Sequence, residues 1–400
     1  MIAPPLGLYI HFPWCVSKCP YCDFNSHALK GEVPEERYLE ALRLDLESQL
    51  DPAGPLLDGS ASPVDRSVTS IFLGGGTPSL FSPDAIGRVL GQVRHLLPVA
   101  ADAEVTLEAN PGTIERGRFA GYAAAGVNRV SLGAQSFDAD VLKRLGRIHS
   151  PAETCAAAEE LHAAGIANFN LDLMYALPGQ DRAGALRDVE AALALRPAQV
   201  SHYHLTMEPG TPFAALPPPG LPADEQADDM LEACQQRLGA AGYERYEISA
   251  YARPGRACAH NLNYWRFGDY LGIGAGAHGK LSVPRPDGLG WEVRRSLRLR
   301  EPRRYLGSVP GGLTVSAVDP AQLPFEFMLN ALRLIEGADR ALFESRTGLA
   351  WEGVEARVAA LVRRGLLEMA DPGPSFRPSV RGLAFLNDLL VEFLPEESGT

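Results

Sequence analysis

Cys15, Cys19 and Cys22 fall inside the stretch HFPWCVSKCPYCDFNSH (11–27) and form the spacing C-x3-C-x2-C. Three thiolates so close together are a soft donor set, and what they hold depends on the partner that completes it. A disulfide would use two sulfurs, leave the third over and strain a loop this short. A structural zinc needs one more ligand, for which His11 and His27 stand nearby, but no second C-x2-C follows downstream. An iron–sulfur cluster tied by three thiolates leaves one iron open to a non-protein ligand. On the residues alone, zinc and cluster both stand. Of the other cysteines, Cys155 and Cys234 read as buried small apolar residues, and Cys258 as a buried thiol two positions before His260.

The elements around this loop set the frame. In 400 residues, 46% hydrophobic and 22% charged, the length suits one large α/β unit with smaller ones attached. A net charge of -12 argues against nucleic-acid binding through the overall field. No apolar run is long enough to span a bilayer and the N-terminus lacks a secretory pattern, so a reducing, cytoplasmic setting is expected. Strands are expected at 6–12, 68–74, 104–109, 129–134, 168–175 and 199–206, alternating with helices such as 35–50 and 82–97, the latter capped by Ser82. That alternation predicts a parallel sheet of βα units, six strands being short of a closed eight-stranded barrel. Residues 51–65 read as a flexible surface insertion and 214–225 as a linker. The run 291–304, WEVRRSLRLREPRR, reads as an exposed amphipathic strand or a docking face. A tail of helices with an extended pair resembles a small winged-helix module. With 8 Lys and Arg against 12 Asp and Glu over 320–400, it is expected to dock or cover and not to grip phosphate. The expected division is 1–223, 224–304 and 305–400.

Each later strand ends in a short polar or glycine-containing loop, where parallel-barrel folds place their chemistry. Gly75, Gly76 and Thr77 follow the second strand, and glycines there let backbone approach a ligand. Glu108, Gln135, Arg147 and Asp172 lie at or just past the third, fourth and fifth strands. Singly, each is an ordinary surface or capping residue. Together they form a mixed acid, amide and guanidinium set suited to a zwitterionic amino acid with a ribose.

C-x3-C-x2-C after a first strand, with Tyr21 just before the last cysteine, resembles the radical S-adenosylmethionine (SAM) superfamily. The resemblance implies an α/β fold, a partial (β/α)6 barrel with a small, mainly helical C-terminal domain. It implies a 4Fe-4S cluster on Cys15, Cys19 and Cys22, with SAM on the fourth iron and split on reduction to a 5'-deoxyadenosyl radical. Tyr9, Tyr21, Gly75, Gly76, Thr77, Glu108, Gln135, Arg147 and Asp172 are then the SAM-binding set, and a flavodoxin or ferredoxin is the expected electron donor.

Across most of the chain, YIH, FLGGGTPS, LEANP, GAQSF and LDLMYALPG are similar to the oxygen-independent coproporphyrinogen III oxidase family. Two features depart from its oxidases. Phe24 stands where they carry a fourth cysteine, and the chain enters its first strand almost at once. His260-Asn261-Leu262-Asn263-Tyr264-Trp265 instead resembles the HNxxYW motif of the HemW branch of haem chaperones. That implies haem as cargo, with His260, Asn261, Tyr264 and Trp265 as candidate contacts and His278 as a second imidazole. As bare sequence, the motif equally suits a packed turn. A haem-acceptor protein, membrane-bound or not, and a homodimer are compatible with this reading; oxidative decarboxylation of coproporphyrinogen III is the alternative, and nucleic acid is not an expected partner.

Overall fold

The strands form where β-branched and leucine-rich runs are covered on both faces, which is why they read as continuous apolar stretches and not as alternation. The computed structural model describes residues 3–60, 65–112, 117–285, 290–369 and 374–395. The six expected strands are β1 (Leu6–Phe12), β2 (Val68–Gly75), β3 (Val99–Ala109), β4 (Arg129–Gln135), β5 (Phe169–Tyr175) and β6 (Gln199–His204). Each pairs in parallel with the next.

Six further strands continue this sheet: β7 (Glu244–Glu247), β8 (Ala250–Ala252), β9 (Asp269–Ile273), β10 (His278–Pro284), β11 (Trp291–Arg298) and β12 (Leu313–Ala317). The order is β12-β11-β10-β9-β1-β2-β3-β4-β5-β6-β8-β7. β9 lies parallel to β1, so the parallel part has seven strands, one more than the sequence suggests. Its two ends do not meet, so the sheet is an open, partial barrel.

Helices Glu35–Leu50 and Pro83–Leu96 form as expected, and the Ala85 amide donates to Ser82 Oγ at 3.1 Å. A second core, around Phe327, Phe343, Trp351 and Phe376, is closed by helices Leu323–Ala331, Arg340–Thr347 and Glu352–Arg363. A three-stranded antiparallel sheet (Ala338–Asp339, Leu367–Met369, Ser375–Pro378) completes it, giving the winged-helix-like arrangement.

Three loop readings change. Residues 61–64 lie outside the described residues, but Leu56 and Leu57 of the supposed surface insertion are buried in the main core. Arg294 Nη1 donates to both their carbonyls, at 2.9 and 3.0 Å, which fastens the segment to β11. The 214–225 stretch is tied to the loop after β5, its Gly220 carbonyl accepting from the Gly179 amide at 2.6 Å. The basic run is not a free charged face: Arg295 pairs with Glu326, and Arg298 is buried against Asp45. Two of its arginines thus turn inward to satisfy buried acceptors and carboxylates, because a guanidinium with five donors can bridge several at once.

Candidate functional site

The cysteine loop leaves β1 and returns through a two-residue parallel pairing of Trp14–Cys15 with His27–Ala28. All three cysteines are free and partly exposed. Behind the loop, the Tyr9 hydroxyl lies 3.0 Å from His11 Nδ1, and His11 Nε2 is 2.8 Å from the Asn25 carbonyl. A carbonyl only accepts, so Nε2 carries the proton and Nδ1 accepts from Tyr9. Burial holds the His11 pKa down to about 4, keeping the ring neutral. Asn25 Nδ2 in turn donates to the carbonyls of Ala275 (2.8 Å) and Arg300 (2.9 Å).

A hydrogen-bonded chain joins two of the thiols. Thr77 Oγ1 donates to Cys15 Sγ at 3.4 Å and accepts from Asn110 Nδ2 at 3.0 Å. Arg147 Nη2 donates to Asn110 Oδ1 at 2.6 Å, and its Nη1 reaches Cys19 Sγ at 3.6 Å. Burial pushes the Cys15 thiol up while the Thr77 hydroxyl pulls it down. Arg147 also donates to the Gly133 carbonyl, and its buried Nε has no partner among the described residues. The glycines after β2 have a steric cause: a Cβ on Gly76 would sit 2.6 Å from the Trp14 carbonyl, and one on Gly75 would strike the His11 ring. Bare backbone lets the Gly76 and Thr77 amides donate to Phe12 and Trp14, setting Thr77 beside Cys15.

Donors aimed at thiolates are the environment that stabilises an iron–sulfur cluster, so the residues present fit one. For the zinc alternative, both His11 ring nitrogens are taken and His27 Nε2 lies 3.3 Å from Asn25 Oδ1. Among the described residues, no three His, Cys, Asp or Glu converge as a metal-ion cage. Asn110→Ala is expected to cut the Thr77–Arg147 link, so the reconstituted cluster is bleached several-fold faster by oxygen while the circular-dichroism spectrum stays unchanged.

Above the loop, the strand ends bring together Glu108, Asp172 and Tyr203, while the Gln135 amide lies over Gly133 with Arg147 and Asn110. Glu108 Oε2 accepts from the Gly75 amide at 2.9 Å; Asp172 accepts from Ser131 Oγ (3.1 Å) and Asn170 Nδ2 (2.8 Å). Burial raises the Glu108 pKa to about 7, the Gly75 amide opposes that, and Asp172 adds to it. Gln135 holds φ at +66°, uncommon for a residue with a side chain, and its amide makes no hydrogen bond to the described residues. Tyr203, not singled out by sequence, is 42% exposed on the same side as Asp172. Because Glu108 titrates higher folded than unfolded, its contribution to stability is present below about pH 4.5 and is lost as pH rises through about 7. Glu108→Gln is expected to flatten the slope of melting temperature against pH across that window.

The HNLNYW motif forms the helix Ala259–Trp265, which packs against β1 and β2 at their beginnings. His260 is 1% exposed; its Nδ1 meets Ser70 Oγ and its Nε2 meets Tyr264 Oη, both at 2.9 Å. The ring stacks on Phe72, and a Cβ on Gly7 would touch it. In this structure the His260 imidazole sits at the barrel floor with both ring nitrogens hydrogen-bonded. Tyr264 packs edge-on to Tyr270, and Trp265 lies under the Arg333 guanidinium at 4.2 Å, where barrel and C-terminal module meet. Asn261 is partly exposed beside them. Cys258 is buried, its thiol pushed up to about 12. Cys155 is only partly buried, unlike Cys234.

The Radical SAM superfamily matches residues 9–192 and the HemN C-terminal domain residues 318–385. The heme chaperone HemW of Escherichia coli K12 is 49% identical over 399 residues, covering 98% of this chain and 99% of its own. This chain belongs to the HemW family. The Haemophilus influenzae HemW is 45% identical over 98% of this chain and 99% of its own. Among solved structures, the E. coli coproporphyrinogen III oxidase HemN superposes with a TM-score of 0.79 at 23% identity, covering 98% of this chain and 90% of its own. That likeness shows the shared fold, including the C-terminal module.

Proposed function

We propose that this protein is a haem chaperone: it binds haem reversibly and passes it to an acceptor protein. Cys15, Cys19 and Cys22 would hold a 4Fe-4S cluster, and the chemistry such a cluster supplies when bound is one-electron transfer to SAM. The observation that carries the reading is the near full-length similarity to HemW proteins, joined by Phe24 at the position of the oxidases' fourth cysteine. The Phe24 ring is 61% exposed and has no atom that ligates iron.

Within the SAM-binding set, Glu108, Asp172 and Gln135 offer carboxyl and amide groups to the amine and hydroxyls of SAM. Thr77 and Arg147 are spent on the thiols, Tyr9 positions His11, and Tyr21 packs beside Phe213. Gly75 and Gly76 keep the backbone close. A haem acceptor and a low-potential donor of flavodoxin or ferredoxin type are the partners this reading needs. No helix among the described residues is long and apolar enough to cross a membrane.

Haemin titrated into the anaerobically reconstituted protein is expected to give a stable, Soret-shifted complex, and coproporphyrinogen III with SAM and a reductant is expected to give no protoporphyrinogen. Absence of the complex, or formation of that product, overturns the proposal.

A further inference from the structure

If haem is the cargo, its iron needs a ligand that can be reached, and the floor helix does not offer one. His11 and His260 are buried with both ring nitrogens occupied. His278 is different: it is exposed, and its ring makes no hydrogen bond to the described residues.

The setting of His278 is built. It ends the turn Gly274-Ala275-Gly276-Ala277, in which it is the first side chain larger than a methyl. The turn is pressed onto the back of the cysteine loop: a Cβ on Gly274 would strike the His11 carbonyl, and one on Gly276 would strike Asn25. Gly274 and Gly276 hold φ at +100° and +79°, the left-handed region that favours glycine. His278 is thus carried on a rigid support fixed to Asn25, next in sequence to the exposed Phe24 ring.

Charge of the right sign surrounds it. The Arg300 guanidinium is exposed and makes no hydrogen bond or ion pair to the described residues, its carbonyl is tied to Asn25, and its charge reaches both His278 and His11. Lys18 is exposed and holds its ammonium 3.2 Å from the Phe24 carbonyl. Burial and the Arg295 and Arg300 charges lower the His278 pKa, which favours the neutral imidazole that binds metal. Nearby Glu301 is spent on the amides of Arg303 and Arg304. In a chain of net charge -12, an exposed apolar ring, an exposed imidazole and the Arg300 and Lys18 charges around the loop match a flat, apolar, dianionic iron macrocycle.

We propose that haem docks on this outer face of the cysteine loop, with His278 as an iron ligand, the Phe24 ring against the macrocycle, and Arg300 and Lys18 meeting the propionates. This rests on the haem-chaperone reading and places the cargo beside the cluster loop, away from the HNLNYW helix. Forming the bond transfers no electron: the imidazole lone pair occupies an open axial position of the iron.

The test is an anaerobic haemin titration of the full-length, reconstituted protein, followed by the Soret band and by electron paramagnetic resonance for imidazole ligation. His278→Ala is expected to lose the imidazole signature and weaken binding by ~10-fold or more, with added imidazole restoring the signature. Arg300→Glu is expected to weaken binding by ~10-fold with the signature kept. Iron and sulfide content should match the wild type in both. The site is overturned if His278→Ala binds haemin with the wild-type affinity and spectrum. It is equally overturned if His260→Gln, melting like the wild type, loses the signature that His278→Ala keeps. A wild-type protein that binds no haemin at all would instead sink the haem-chaperone reading.

Discussion

Alanine in place of Cys19 should leave anaerobically reconstituted protein with little of the iron, sulfide and visible absorption of a 4Fe-4S centre. Two thiolates cannot hold a cluster whose fourth iron is already without a protein ligand. Cys19 also ends the Thr77–Asn110–Arg147 chain, so the Arg147 guanidinium would lose its sulfur acceptor. Alanine at Cys15 or Cys22 should act the same way, whereas alanine at Cys155, on the helix Pro151–Ala163, should change nothing. Stoichiometric iron and sulfide in the Cys19 variant would contradict this assignment of the thiols.

The largest effect on stability is expected at Asp45. Its carboxylate is fully buried and accepts from Arg298 Nε (2.7 Å), Gln49 Nε2 (2.8 Å), the Tyr305 hydroxyl (2.8 Å) and the Gly274 amide (3.0 Å). Asp45→Ala leaves Arg298 charged and enclosed, a type of change that costs about 3–5 kcal/mol. Chemical denaturation should show a lower midpoint, and Asp45→Leu combined with Arg298→Met should recover part of the loss because no orphaned charge remains. Since Asp45 anchors the Gly274 amide, the single variant should also loosen the turn that carries His278.

The sequence made the parallel strands legible because each is an apolar run bounded by a turn, and it made a helix start legible where Ser82 caps it. It hid β9, whose DYLGI is short and runs straight into glycines with no alternating pattern. The HNLNYW motif could be recognised, but not its burial. The spacing of His260 and Asn263, one helical turn apart and both buried, was the available clue. The basic run misled for a different reason: charge on a strand is visible in sequence, whereas the distant acceptors Asp45, Glu326 and the Leu56 carbonyl are not. At the site, the cysteines and strand-end residues were readable by position. Asn25 and Asn110 were not, because one amide bridging segments far apart in the chain leaves no periodic trace.

Asn25 also sets a limit on the order of biosynthesis. The carbonyls that receive its amide belong to Ala275 and Arg300, so the cysteine loop lacks its rear support until roughly three-quarters of the polypeptide has been made. At translation rates of about 5–20 residues per second, that is a delay of about 15–60 s after Cys22 leaves the ribosome's active centre. Through that interval three thiols stand on an unbraced loop, open to oxidation and to stray metals. Delivery of iron and sulfide to this protein is therefore expected to follow release of the chain, and nascent chains stalled before Ala275 should fail to retain a cluster that full-length chains keep.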